Sequence, residues 1–449
     1  MNSFLSIFSY LSFLLILGVI IKNKVKIFQE LFIPSSVIGG FIGLFLGSSF
    51  LNNYFEIIPF SWQKDISSLP GMLIIPIIIS VPLGLNFGSR KKSIKNVINM
   101  SGILFIVTFT QLLLGYLISY LYKYIFNKDI YPGFGSELNS GFAGGHGTAG
   151  LVSRTLKELG SQYWELAQGI TVTMATVGLI SGIFFGIYQI NKGTKNGKTE
   201  IIKDVLELPI ELKKGYYKEV AKQDSLGRET MLSTSIDTLA FHLAIIMSVC
   251  GLSQISLIFF KKHNVFIISK LSLWSYGMII MFIVWYIIKK MGLDWSIDSK
   301  VRGKITGTFT EFAVVSAIAS LPFKAVSIYF ITIFTICLIG LILTWKIILL
   351  LSKRYFEKDF YFERALAMFG TSTGVFITGL LLLRICDPKL ESKVLQDYSL
   401  GFTMTALLGP ILITSCIQLS FLYGFLIPVV IMSLLTIINI VFLELYNKR

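Results

Sequence analysis

The chain has 449 residues, 54% of them hydrophobic and only 14% charged, with a mean hydropathy of +0.73 and a formal net charge of +15. Soluble domains carry about 25% charged residues, and apolar runs of about 18 or more residues, each long enough to cross a bilayer, recur here throughout. This is the composition of a polytopic, all-α membrane protein, and it excludes a soluble globular domain.

The basic excess is explained by membrane topology. No basic domain or recognition motif accompanies it, which argues against nucleic acid as a partner. The four cysteines, Cys250, Cys337, Cys386 and Cys416, lie in apolar segments and show neither disulfide-framework nor metal-ligand spacing.

The first segment, SFLSIFSYLSFLLILGVIIK, has no basic residue before it and no small-residue cleavage site, so it reads as a retained span at 3–22. Further spans are expected at 31–50, 71–88, 100–122, 166–190, 236–260, 268–290, 304–322, 326–351, 399–417 and 419–443. Two stretches between them are not ordinary loops. One, 136–155, contains SGFAGGHGTAG, with five glycines in eleven residues; the other, 364–386, reads RALAMFGTSTGVFITGLLLLRIC. Both are apolar enough to enter a membrane, and both are broken by Gly, Ser and Thr.

Basic residues cluster in alternate loops: Lys22, Lys24 and Lys26; Arg90 to Lys95; the segment 191–235; Lys289 to Arg302; Lys353, Arg354 and Lys358; and the C-terminus. About 30 of the 40 Lys and Arg fall on one side, which the positive-inside rule makes cytoplasmic. The N-terminus is then outside and the C-terminus inside. The two glycine-broken segments must dip in and return, since a full crossing by either would collapse the bias. The first enters from outside, the second from inside.

Shifted by about 230 residues, the pattern overlays itself. Residues 1–190 form a first five-helix repeat and 236–417 a second, joined by the charged cytoplasmic linker 191–235; 418–449 adds an extra C-terminal helix. An odd number of spans per unit inverts the second repeat. Inverted repeats with broken segments at matching places point to a secondary transporter whose site lies where the breaks meet.

Irregular backbone at membrane depth survives only in the protein interior or beside a water-filled cavity. Gly144, Gly145 and Gly147 are expected to turn the first hairpin, with a short helix at Thr148–Glu158 whose positive end suits a carboxylate. Gly370, Thr371, Ser372, Thr373 and Gly374 offer the same kit in the second, and hydroxyls with exposed carbonyls suit sodium as coupling ion.

The stretches IPSSVIGG at 33–40, LIIPIIISVPLGLNFGSRKKSIKN at 73–96, GGHGTAG at 144–150 and TVTMATVGLISG at 171–182 resemble the bacterial sodium/glutamate symporter family. The likeness covers most of the first half and, more loosely, the second; FGTSTGVFITG and the eleventh span depart from the family's pattern. The resemblance implies an inverted five-plus-five architecture, a homodimer in the bacterial inner membrane, no organic cofactor, and sodium-coupled uptake of glutamate.

Individual side chains read two ways. His146 is either a substrate or proton contact or a brace for the hairpin. His242 reads as bundle-facing and structural. Glu311 either neutralises a cation or is solvated near a helix end. Asn86 is either a cation ligand or a helix cap. Arg384 either forks onto a substrate carboxylate or pairs with Asp387 before Pro388. Thr171 and Thr173, repeated as Thr403 and Thr405, are either cation ligands or small residues for close helix packing.

Three other functions compete. A transporter of the same shape for a different mono- or dicarboxylate is the nearest. A channel with the tips as filter is disfavoured by the inverted repeat. An intramembrane protease lacks a nucleophile–base pair or aspartate pair, with Asp237 alone near a span start. No enzymatic activity is expected.

Overall fold

The computed structural model describes residues 3–30, 33–47, 51, 59–85, 91–126, 130–201, 214, 216, 218–223, 225–232, 234–263, 273–356, 359–387 and 392–448. Among them every regular element is helical. The principal helices are α1 (Ser3–Lys24), α2 (Ser35–Leu46), α3 (Phe60–Ile79), α4 (Lys91–Tyr124), α5 (Glu137–Phe142), α6 (Gly145–Glu158), α7 (Trp164–Lys195), α8 (Thr238–Lys262), α9 (Leu273–Lys290), α10 (Ser299–Ala319), α11 (Phe330–Phe356), α12 (Tyr361–Cys386), α13 (Val394–Tyr423) and α14 (Leu426–Lys448).

Seven described helices, α1, α4, α7, α8, α11, α13 and α14, are long and apolar enough to cross a membrane. The chain is therefore an all-α, multi-pass membrane protein. Helix is the economical choice there, because each segment satisfies its own backbone polar groups. The remaining expected spans are helical where described, with shifted ends. Helix α2 has only 12 residues. Helix α3 starts at Phe60 rather than near 71, running through Pro70 and Pro76, and stops at Ile79. The chain then turns, with Gly84 at φ +78°. The carbonyls of Val81 and Leu83 accept from Arg302 of α10, both at 2.7 Å, and that of Leu85 accepts from Trp285 and Lys289 of α9. Two cationic side chains and an indole thus satisfy the carbonyls of the turn that follows α3.

Two helices form the centre. Helix α4 has 72% of its most apolar window buried inside the chain, whereas α14 has 17% and presents most of its surface outward. Helices α4 and α14 are joined by a reciprocal amide pair, Asn99 with Asn447, at 3.0 and 2.8 Å. Helix α7 packs against both glycine-broken segments. Its Gly178, Gly182 and Gly186, each four residues apart, face Thr373 and Leu382 of α12, and any side chain there would overlap them. A small-xxx-small stripe of this kind lets backbones approach closely.

The two broken segments are helical hairpins. In the first, α5 and α6 fold back around Gly145 (φ +68°), and the Thr148 hydroxyl donates to the Ser140 carbonyl eight residues earlier. In the second, α12 breaks at Gly374 and Val375 into arms 361–373 and 376–386. The arms pack so tightly that a Cβ on Gly370 would lie 2.7 Å from the Gly379 Cα. A continuous helix would separate those two residues by about 13 Å.

The segment joining the halves touches the bundle at both ends. Glu200 N–H donates to Glu363 at 2.7 Å, and the Glu200 carboxylate accepts from Phe360 N–H at 2.7 Å. Arg228 donates to Asp298 at 2.9 Å. Asp298 also caps α10 through the N–H groups of Lys300 and Val301. The Asp298 N–H donates to His242 Nε2 at 2.8 Å, and His242 Nδ1 lies 2.7 Å from the Thr238 carbonyl. Nδ1 therefore carries the proton and His242 is a structural clasp. Asp237, read as a lone acid near a span start, is the N-cap of α8.

Candidate functional site

The hairpin tips meet. A Cβ placed on Gly145 would overlap the Val375 Cγ1. The second arms of both hairpins start at this contact, α6 at Gly145 and the outer half of α12 just after Val375. The first N–H groups of each arm have no intrahelical partner, and the positive dipole ends favour an anion there.

Local chemistry explains the turns. Gly145 takes a left-handed φ, for which glycine has no steric cost. The second tip does not use its glycine in that way. Gly374 keeps a negative φ (φ −157°, ψ 33°), and the positive-φ residue is Val375 (φ +68°, ψ 174°). This region is essentially closed to β-branched side chains and costs on the order of 1–3 kcal/mol. The strain is held by packing. Gly370 and Gly379 lock the arms, Thr378 donates to the Gly374 carbonyl, and Tyr398 of α13 donates to the Phe376 carbonyl at 2.8 Å.

A buried amide ties the hairpins together. Gln111 of α4 is 2% exposed. Its Nε2 donates to the Ser372 carbonyl at 2.9 Å and to Thr344 at 3.0 Å, while its Oε1 accepts from Asn139 of α5 at 2.9 Å. One side chain on the central helix thus holds an arm of the first hairpin and the tip of the second.

The residues singled out by sequence fall in several places. Gly144, Gly145, His146, Gly147 and Thr148 gather at the first tip. Gly144 lies against Ser140 and Thr148, and Gly147 faces Thr310 of α10, 3.7 Å from its Cβ position. His146 Nε2 lies 2.9 Å from the Thr176 hydroxyl. Thr176 gives its own proton to the Val172 carbonyl, so His146 Nε2–H is the donor. Thr371, Ser372, Thr373 and Gly374 precede the second tip and are buried. Thr371 touches the Tyr398 hydroxyl, and Thr373 donates to the Phe369 carbonyl.

The threonine pairs lie on different helices and each bonds within its own. Thr171 and Thr173 donate to Ala167 and Gly169 on α7, and Thr403 and Thr405 donate to Ser399 and Phe402 on α13. Such back-bonding satisfies each proton locally and leaves lone pairs. Glu311 is exposed on α10, within electrostatic reach of Lys22. Arg384 has its Nε buried without a hydrogen-bond partner, and the Asp387 carboxylate accepts from Ser392. Asn86 lies outside the described residues.

Sequence reasoning missed Gln111, Val375 and Tyr398, and also the buried charges at the hairpin bases. Glu137 is fully buried and accepts from Tyr131 and the Gly135 N–H, both at 2.6 Å. Arg364, also fully buried, pairs with Asp397 at 2.9 Å and Asp359 at 3.2 Å, and Asn96 donates to both carboxylates. An ionisable residue within an apolar segment was the available signal.

Comparison of the chain with protein-family models, with curated proteins and with solved structures finds no match to any of them.

Proposed function

We propose that this protein is a secondary active transporter that couples sodium to the uptake of glutamate or a closely similar small carboxylate across the cytoplasmic membrane. The observation that carries the reading is the tip-to-tip contact of Gly145 and Val375. Broken helices whose positive ends face a shared point inside the protein are the way membrane transporters hold an anion near the bilayer midplane.

Packing supports the inverted repeat. At the 230-residue offset α3 corresponds to α10 and α4 to α11, and both pairs pack together. Helices α1 and α2 pack as α8 and α9 do. In this reading the two hairpins are re-entrant, eleven helices span, and α14 is an accessory outside the repeat. The likeness of GGHGTAG and its neighbours to sodium/glutamate symporters narrows the substrate to an acidic amino acid and the coupling ion to sodium.

The test is uptake of labelled glutamate into proteoliposomes, with and without an inward sodium gradient. Accumulation only with the gradient supports the reading. Accumulation of another dicarboxylate in its place moves the substrate and keeps the mechanism. Flux that never exceeds equilibration under any cation gradient removes it.

A further inference from the structure

Helix α10 changes character halfway along. From Ala313 to Ala319 every residue is buried. Before that point Lys300, Gly303, Lys304, Gly307, Thr308 and Glu311 are exposed, at the spacings of three and four that keep residues on one face of a helix. Val301 and Ile305, on the other side, are buried. A Cβ on Gly303 or Gly307 would meet no described atom within 4 Å, so the face looks onto open space. The hydroxyls of Thr306, Thr308 and Thr310 donate to carbonyls of their own helix. The stripe ends at the first hairpin tip, where the Cγ2 of Thr310 lies 3.7 Å from the Cβ position of Gly147. Eleven residues lead there from Ser299, the first of α10. That is about 16 Å of helix, or roughly half the thickness of a hydrocarbon core.

Lipid is the wrong filling for this face. A charge against hydrocarbon is expensive, and Lys304 and Glu311 lie two turns apart on the stripe. Helices that turn outward expose apolar side chains instead: Leu252, Ile255 and Phe259 on α8, and Leu434, Ile438 and Phe442 on α14. Polar faces at membrane depth line water-filled cavities. The charges are also unequal along the stripe. Lys300 and Lys304 stand near its start, and Glu311 stands at its inner end, within electrostatic reach of Lys22 of α1. Three ammonium groups against one carboxylate give a positive field, which concentrates small anions.

We propose that the exposed face of α10 is one wall of a water-filled vestibule running from the start of α10 to the first hairpin tip, and that a small anion passes along it between the tips and the aqueous phase on that side. Lys300 and Lys304 gather the anion at the mouth. Glu311 offsets Lys22 at the inner end, so the anion is not held short of the tip. The route rests on the transporter reading; the water and the field do not.

The test is thiol accessibility in the full-length protein lacking Cys250, Cys337, Cys386 and Cys416. The probes are sulfonatoethyl methanethiosulfonate, an anion, and trimethylammonioethyl methanethiosulfonate, a cation. Gly307→Cys and Thr308→Cys should react with both from the same membrane face as Lys300→Cys, and the outward-facing Ile438→Cys with neither. Adding Lys304→Gln to Thr308→Cys should lower the anion-to-cation rate ratio about threefold or more. Modification of Gly307→Cys should stop uptake. If Gly307→Cys and Thr308→Cys are as inert as Ile438→Cys, as a face covered by lipid or by a second copy would be, the vestibule is overturned. Reaction only from the face opposite Lys300→Cys overturns it as well. A rate ratio that Lys304→Gln leaves unchanged overturns the anion field, and modification that leaves uptake intact overturns the route. Reactive cysteines in a protein that accumulates no carboxylate keep the vestibule and remove the transport reading. Sodium-driven uptake with both cysteines inert does the reverse.

Discussion

Gly145 and Val375 press on one another at the hairpin tips and share a positive φ: each is at +68°, and a Cβ on the first would lie 2.4 Å from the Cγ1 of the second. The glycine is comfortable in that conformation and the valine is not. The tip contact is therefore asymmetric, with the strain stored on the side of α12.

Val375→Gly should release that strain and raise the stability of the protein by about 1–3 kcal/mol. Gly145→Val should abolish uptake while the protein still reaches the membrane, because a β-branched residue both resists positive φ and blocks the opposing tip. The double variant Gly145→Ala/Val375→Gly tests the contact itself. Removing the γ carbons should recover part of the loss seen in Gly145→Ala, giving a coupling energy of about 0.5–3 kcal/mol in a double-mutant cycle. Strictly additive effects on thermal stability and uptake would mean that the tips do not press on one another.

Gln111 is the hinge pin between the hairpins in this arrangement. Gln111→Leu keeps the approximate volume and leaves the Asn139 amide and the Ser372 carbonyl without that partner. Each orphaned buried group costs about 1–3 kcal/mol, so a clear fall in unfolding temperature and loss of uptake are expected. Gln111→Glu keeps an acceptor for Asn139 and, when neutral, has one O–H in place of the two N–H donors, so it should fall between leucine and wild type. Wild-type uptake by Gln111→Leu would show that the hairpins are held in register by something else.

The breaks at Gly145 and Gly374 are legible in sequence because glycines interrupt apolar runs that otherwise read as spans. The first tip can be located to within a few residues, Gly144 to Gly147, and the positive φ falls on Gly145. The second reads a little early, on Gly370 to Gly374. Gly370 proves to be an arm-to-arm contact with Gly379, and the turn falls on Val375, a residue whose propensity forbids it. Tertiary packing overrides local preference there. Gln111 is invisible because a glutamine in a long apolar helix has no periodic signature. The ends of α3 shift because Lys64, Asp65 and Pro70 look like loop, whereas the helix tolerates them by packing Gly71 and Pro70 against α6.

Arg364 anchors the base of the second hairpin, and its removal should be severe. Arg364→Ala leaves Asp397 buried without its charge partner, a change worth about 3–5 kcal/mol. Adding Asp397→Asn removes the stranded charge and should restore part of that stability. A double variant no more stable than Arg364→Ala would mean that the guanidinium acts mainly through Phe356, over which it sits at 4.8 Å.

Asp298 gives the linker contact a pH signature. Burial raises its pKa, but the hydrogen bonds from Arg228 and from the N–H groups of Val301 and Lys300 more than reverse this, and the carboxyl is held below the ordinary range. A depressed pKa in the folded state adds stability that is complete above the unfolded value of about 3.9 and is lost as pH falls through the folded value. The clasp should thus be intact at neutral pH and fail only below about pH 4. Arg228 is largely exposed, so most of the effect comes from the helix cap. Asp298→Asn should lower stability at pH 7 and flatten the acid limb, and Arg228→Ala should do so only weakly. Equal effects of the two variants would shift the weight to the ion pair.

Topology is the prediction on which the inverted repeat depends. Ser140 is buried in α5, so a thiol there would not report sidedness. Gln162, exposed between α6 and α7, and Lys353, exposed near the end of α11, are better reporters. In a background lacking Cys250, Cys337, Cys386 and Cys416, Gln162→Cys should react with an impermeant thiol reagent from outside intact cells. Lys353→Cys should react only after the inner face is opened. In the proposed topology the basic loops place Lys353 inside and the first hairpin enters from outside. Labelling of both from the same face would put the hairpins on one side and remove the proposal that two opposed positive helix ends hold one anion.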